Sequence, residues 1–356
     1  MSYHVQLLDP RHDAEPPYWE SWRRRAGLWA NWAWPLLRAG ALSSRDPVLL
    51  TVLCRCQVSD DADTVAGVVA ATVCRPSPLG ALPRLFARQA RPSPERGRPR
   101  IGYLHVQAPQ SSAQPGWWFD NDDPVERTAL FRAYTRTARR ALGRGVGGVL
   151  WRQLGAEDVP LLPRRLLVRR TEPVAVLDTP FADVESWLKG LRKSRRQDLR
   201  RIFRRLAADP DLDVLAGASA DVADPAELAR LVRLNHDKHG AAAADRNTGP
   251  RTVAWQQVAL GHPEVTTVAY RDGSGRLLGA GTILDHARQP LWLTWGAEPV
   301  EQGGRRHLYF DFIGRVVELA VAGRRDGVVL GKGTTELKVD LGARLVPQYA
   351  AVTRTG

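Results

Sequence analysis

Lys338 stands seven residues after Gly331 in GVVLGKGTTELKVDLG (327–342), where an apolar run gives way to a glycine-rich turn. A lysine at the end of a strand can set a positive charge beside an oxyanion forming at a carbonyl, or hold a carboxylate. The competing reading is a lysine in a surface loop. Lys332, between Gly331 and Gly333, is a second candidate, because N–H groups flanked by glycine approach an anion closely. Glu336 and Asp340 bracket Lys338 and are its expected partners.

Nine basic residues fall within positions 189–205: Lys189, Arg192, Lys193, Arg195, Arg196, Arg200, Arg201, Arg204 and Arg205, with Asp198 as their one acidic neighbour. On a single helix from Glu185 to Leu206, at about 100° per residue, Leu188, Leu191, Leu199, Ile202 and Leu206 share one stripe and Arg195 falls in its middle. An unpaired guanidinium in that stripe costs roughly several kcal/mol, so Arg195 must reach a carboxylate, Asp198 at i+3 being one, or an anionic ligand. The remaining cations form either a solvated face or a surface for a phosphate backbone. Each phosphate neutralised would steepen the salt dependence by about 0.9 for a duplex.

Other fragments read as structural. His236 and His239 have a metal-like spacing, but no third ligand converges on them, so no metal site is expected. Trp19, Trp22, Trp29, Trp32 and Trp34 recur at helical spacing, which favours core packing over stacking on bases or lipid. Cys54 and Cys56 would point to one face of a strand, and with Cys74 they read as reduced thiols.

The elements that must position these residues alternate between strand and helix. The 356 residues suggest two domains, 1–172 and 173–356, each an α/β unit with a mainly mixed sheet. Strands are expected at 47–54, 64–74, 101–108 and 147–154 around a helix over 124–142. In the second half, a strand at 173–178 leads into the basic helix, a further helix spans 225–236, and a hairpin turns around Asp272–Gly275. A strand over 289–298 and a helix from about Arg306 to Ala322 follow. The net charge of +13 calls for a polyanionic partner: tRNA, a nucleotide-linked substrate, coenzyme A or a membrane surface. Only five of the 51 basic residues are lysine, the mark of a codon bias toward arginine, so position and not number must carry that argument. The sequence has no run of about 18 apolar residues and its start lacks a signal-peptide pattern, which together predict a cytoplasmic protein.

The stretch WLKGLRKSRRQDLRRIFRRL (187–206), the strands GRLLGAGTIL and WLTWGAE, and LYFDFIGRVVELAVAGRRDGVVLGKGTTELKVDLGARLVP (308–347) resemble the C-terminal half of Fem-type proteins of the GNAT superfamily. The matching positions are Lys193, Ser194 and Arg195, then Gly331, Gly333, Lys338 and Gly342. The resemblance implies an α/β (α+β) fold of two tandem GNAT-like domains with a groove between or beside them. It implies an acyltransferase that passes an acyl or aminoacyl group to a small-molecule or peptide-like amine, in cell-wall or natural-product assembly. It also implies that Arg195, with Arg192, Lys193 and Arg196, helps to hold a phosphorylated acceptor; Trp295 and Tyr349 are further candidates for substrate contact. Such relatives need no cofactor. Their co-substrate is aminoacyl-tRNA or acyl-CoA.

GNAT enzymes that use coenzyme A cradle its pyrophosphate on the free amides of a glycine-rich loop at a helix start. The corresponding stretch is Gln302, Gly303, Gly304, Arg305, Arg306 and His307, with Arg and His where small residues are usual. Phosphate binding remains open to it, but the departure favours tRNA as the donor's carrier. For a base, His307 and Tyr349 are candidates, whereas Asp311 pairs with Arg315 at i+4. Two other functions compete with this reading: an acyl-CoA-dependent N-acyltransferase and a non-catalytic nucleic-acid-binding protein.

Overall fold

The computed structural model describes residues 3–44, 46–55, 64–74, 102–143, 146–218, 220–238 and 249–355. In chain order, β1 (His4–Leu8) is followed by α1 (Trp19–Arg25) and α2 (Trp34–Leu42), then by β2 (Val48–Cys54), β3 (Val65–Cys74), β4 (Gly102–Val106) and β5 (Trp117–Phe119). Next come α3 (Pro124–Leu142), β6 (Val146–Leu154), β7 (Arg165–Asp178), α4 (Val184–Gly190), α5 (Lys193–Ala207), β8 (Leu212–Gly217), α6 (Pro225–Lys238) and α7 (Val253–Leu260). The chain ends with β9 (Val265–Asp272), β10 (Leu277–Leu284), β11 (Leu291–Ala297), α8 (Leu308–Ala322), β12 (Gly327–Gly331), α9 (Thr335–Asp340) and β13 (Arg344–Arg354).

The chain forms two compact units that are not contiguous in sequence. Unit 1 comprises Met1–Trp22, Arg45–Thr171 and Pro347–Gly356; unit 2 comprises Arg23–Ser44 and Glu172–Val346. In unit 1 the strand order is β1-β2-β3-β4-β6-β13, with β5 paired to β3. β4 and β6 run parallel and the other pairs are antiparallel. Helix α3 starts where the Asp123 side chain accepts from Val125 N at 3.2 Å and Pro124 fills the first turn. Its buried face, Leu130, Phe131 and Tyr134, packs against Trp117 and Trp151, with Phe131 and Trp151 edge to face at 5.0 Å.

In unit 2 the order is β7-β12-β11-β10-β9-β8, with β11 and β12 parallel and in register at Leu291–Val329. Helices α4, α5 and α8 bury one apolar cluster against this sheet, and α6 and α7 contribute to another. The segment ahead of α2 is anchored by Arg23, whose guanidinium is 1% exposed and grips both carboxylate oxygens of Glu264 at 2.7 and 2.8 Å. Trp29 stacks on His286 with ring centroids 4.4 Å apart.

The single long basic helix expected from the sequence is two helices. The chain leaves helical geometry at Leu191 (ψ 158°) and Arg192 (ψ 143°) and restarts at Lys193. The break is held by Arg196, which donates to the carbonyls of Lys189 and Leu191 at 3.0 and 3.4 Å, and by Trp187, whose indole N–H donates to Leu341 O at 2.9 Å. The five apolar positions of the stripe are nonetheless all buried. The helix expected from Arg306 begins at Leu308, because His307 takes a left-handed conformation with φ of 72°. The hairpin at Asp272–Gly275 is present, with Gly275 N donating to Asp272 O at 2.8 Å.

Trp19, Trp22, Trp32 and Trp34 are core residues, as their spacing predicts. Cys54 and Cys74 are free thiols; Cys56, His239 and residues 75–101 lie outside the described residues. Among the described residues no helix is long and apolar enough to cross a membrane.

Candidate active site

Strand β12 ends in a turn whose backbone the sequence has to force. Gly331 and Gly333 both have φ of 76°, and Thr334, a β-branched residue, has φ of 46°. Glycine takes this conformation without a Cβ clash, and Thr334 takes it at a cost, a pattern that concentrates at functional sites. The turn is fastened by Glu172, whose carboxylate accepts from Gly333 N at 2.7 Å. It delivers the chain into α9, one turn along which sits Lys338.

Lys338 is 3% exposed, not a surface loop lysine. Its Nζ donates to the Lys332 carbonyl at 2.8 Å and lies 5.4 Å from the centroid of the Trp292 ring. Burial pushes its pKa down to about 8, against the opposing pull of the Glu172 carboxylate. The expected partners are therefore corrected. Glu172 is the carboxylate acting on Lys338, while Asp340 turns away to Arg195 at 3.3 Å and Arg192 at 4.0 Å, and Glu336 is exposed. Lys332 enters through its main chain, as the acceptor of the Lys338 proton.

Beneath the ammonium lies an aromatic floor. Trp292 packs on Tyr309 and Phe312, each at 5.2 Å, and Tyr309 OH is 3.4 Å from Thr334 Oγ1. Burial raises the Tyr309 pKa, so its phenol stays protonated. Trp295, a candidate for substrate contact, is 9% exposed and packs on Phe312 at 5.0 Å and Tyr270 at 6.1 Å.

Arg195 is partly exposed, at 23% of its side chain, and lies over the Phe310 ring at 5.8 Å while pairing with Asp340. Asp198 pairs with Arg201 instead, at 2.6 Å. Asp340 follows Lys338 by two residues, about 200° round the helix, so Arg195 and Lys338 meet α9 on different sides. Arg192 and Lys193 are exposed, and Arg196 is committed to the helix break. Tyr349 belongs to unit 1, where it registers with Leu154 on β6.

The 302–307 stretch departs from a phosphate cradle in its hydrogen bonding as well as its sequence. Gly303 N donates to Val300 O at 3.1 Å and Gly304 N to Pro299 O at 3.0 Å, so both amides are used by the turn itself. The carbonyls of Gln302 and Gly303 accept from Arg276. A Cβ at Gly304 would lie 2.1 Å from Glu298 O, which makes this glycine a packing requirement. Arg305 is paired with Asp209 and Asp211, whereas Arg306 and His307 are exposed. Asp311 accepts from Arg315 at 2.7 Å, as expected, and also from Tyr270 OH at 2.9 Å.

Sequence reasoning missed Glu172, Trp292, Tyr309 and Thr334. Of these, only Thr334 left a signal, as a β-branched residue directly after a turn built on Gly331 and Gly333.

No family model matches the sequence, and no curated protein does. Solved structures are similar in fold. FemX is 8% identical, with 97% of this chain and 96% of that one covered at a TM-score of 0.55. L-PGS from Bacillus licheniformis is 10% identical, with 96% and 92% covered at 0.55. A conserved protein of unknown function from Bacteroides thetaiotaomicron is 11% identical, with 97% and 100% covered at 0.54. At such identities the likeness shows the fold alone: this chain shares the fold of FemX and L-PGS, with a mixed sheet flanked by helices in each unit.

Proposed function

We propose that the chain, built on this fold, is an acyltransferase that joins an activated acyl group to an amine, with Lys338 as the cation beside the reacting carbonyl. The observation that carries this reading is a lysine 3% exposed, steadied by one carbonyl in a strained turn and kept above an aromatic floor. A structural lysine gains nothing from such desolvation; a preorganised donor does, because charge developing near it is poorly screened.

In the transfer, the amine nitrogen attacks the acyl carbon and the C=O π electrons move onto oxygen. One of the Lys338 N–H groups not used by Lys332 donates to that oxyanion. Collapse restores the carbonyl and expels the donor's ester oxygen with its bonding pair, which takes up the proton given up by the amine. The ester is already activated, so orientation and oxyanion stabilisation suffice without a dedicated protein base.

Aminoacyl-tRNA is the donor we favour, and the acceptor is a small or peptide-like amine. Three features support this: the Fem-type resemblance, the exposed cations of α5, and the use of the Gly303 and Gly304 amides by their own turn, which takes two donors from a coenzyme A pyrophosphate. The test is incubation of the chain with charged tRNA and an amine. Amide product should form and vanish on RNase treatment; product that survives RNase and requires acyl-CoA overturns the donor assignment.

A further inference from the structure

Unit 1 holds a second set of buried polar groups that the transfer chemistry does not use. Strand β6 bulges against β13: Leu154 registers with Tyr349 and Trp151 with Ala351, so Arg152 and Gln153 together face Ala350. The bulge throws Gln153 into the left-handed region at φ of 58°, and its side chain ends up 3% exposed with neither amide atom partnered among the described residues.

Two more glutamines come to the same end of the sheet. β4 keeps register with β6 as far as Val106–Trp151, after which the chain departs into the segment 107–116. That segment reaches past β6 to β13, because Ala113 O accepts from Gln348 Nε2 at 3.0 Å. It therefore arches over the end of β6 where Gln153 sits. Gln348 is 7% exposed, and the bond to a carbonyl fixes which atom of its amide is nitrogen, leaving Oε1 buried without a partner. Within the arch, Gln110 has φ of 52° and a buried, unpartnered Oε1.

Three segments around this end of the sheet thus carry orphaned amides, two of them on residues held at unfavourable φ. Buried polar groups are almost always satisfied, and strained backbone persists where function requires it. We propose that this arch is a binding site for a neutral, peptide-like chain, whose N–H groups would meet the oxygens of Gln110, Gln153 and Gln348 and whose carbonyl would meet Gln153 Nε2. The inventory holds no carboxylate; its one cation, Arg152, shares the bulge with Gln153 and keeps its Nε buried without a partner among the described residues, a further donor for a carbonyl of the bound chain. That the peptide is the amine acceptor of the transfer reaction rests on the function proposed above; that the site binds amides does not.

The test uses the full chain and N-acetyl-alanyl-alanine amide as probe, followed by saturation-transfer NMR. Binding to the wild type should be saturable, and Gln153→Leu and Gln110→Leu should each weaken it by about tenfold or more. Both variants should melt no lower than the wild type, since each deletes an orphaned amide and keeps the volume. Absent saturation in the wild type, or undiminished binding in both variants, overturns the proposal. Lower melting of both would assign the amides to the fold and overturn it equally. No turnover is measured, so a failure of the transfer reading leaves this result interpretable.

Discussion

Lys338 Nζ donates to the carbonyl oxygen of Lys332, 2.8 Å away and six residues back, so the cation is held by the same turn that carries it. The ammonium is positioned by backbone, with no carboxylate in contact to neutralise it.

Burial without neutralisation has a cost that depends on pH. The Lys338 pKa falls from 10.5 to about 8 on folding, so between these values the unfolded chain binds more protons than the folded one. Stability should therefore rise with pH across that window and be flat for this group below it, by up to about 3 kcal/mol for a shift of this size. Denaturant melts at pH 7.5 and 10 should show the rise, and Lys338→Met should lack it.

The same variant separates catalysis from folding. Lys338→Met should lower transfer by about 10²- to 10³-fold, the loss of one oxyanion donor. It should leave the fold at least as stable at pH 7, since a buried charge is replaced by an apolar chain. Unchanged turnover would remove Lys338 from the site.

The basic face of α5 is less free than its sequence suggests. Arg200 pairs with Glu185, Arg201 with Asp198, and Arg192 and Arg195 with Asp340, while Lys189, Lys193 and Arg205 are exposed with no ion pair among the described residues. Lys193→Glu and Arg205→Glu should weaken tRNA binding, each reducing the slope of log affinity against log salt by about 1. Arg201→Glu should do less. Filter binding over a salt series distinguishes these, and a salt-independent affinity would rule out the proposed phosphate contact.

Acid should loosen the stretch that carries Trp29. His286 Nε2 is 2.7 Å from Gly27 O, and its Nδ1 accepts from Arg288 N at 3.1 Å and Gln289 N at 2.9 Å, so the neutral ring is the one that fits. Burial, partly opposed by the bond to Gly27, lowers its pKa below 6.5. The unfolded chain then takes up the proton first, and stability should fall as pH drops through 6.5 and level off once the folded ring is also protonated. Hydrogen-exchange protection at residues 27–34, measured against the intrinsic rate at each pH, should fall over that range in the wild type and stay constant in His286→Gln.

Arg23 makes the firmest anchor of that stretch. Replacing it with Met removes its bonds to Glu264 and to Leu28 O, while the partly exposed Glu264 carboxylate keeps water and Arg24, and should cost about 1 to 2 kcal/mol, read as a lower denaturant midpoint.

Much of the architecture was legible because it is written in local periodicity. The stripe from Leu188 to Leu206 is buried as its spacing requires, and Trp19, Trp22, Trp32 and Trp34 are buried, although the chain at 26–29 between them is not helical and Trp29 is only half-buried. The break at Leu191 and Arg192 left one signal, Gly190 at the end of α4, which the continuous apolar stripe outweighed; Arg196 and Trp187 hold the break. For the same reason the partner of Arg195 was sought at i+3 in Asp198, while the fold supplies Asp340 from 145 residues away. Lys338 stood out because charge is conspicuous beside glycine. Gln153 did not, because a glutamine in a strand reads as solvent-facing, and only the bulge across from Ala350 turns it inward.

The interleaving of the two units bears on how the polypeptide acquires its structure during synthesis. Unit 2 draws on residues 23–44 yet is complete only at Val346, and unit 1 still lacks its last strand until residues 347–356 emerge. Neither half can close its sheet early on the ribosome and wait for the other. Contacts of such long sequence separation fold slowly, and strand edges stay open meanwhile. Half-chains cut at the midpoint should be insoluble for this reason, even though each contains most of a core.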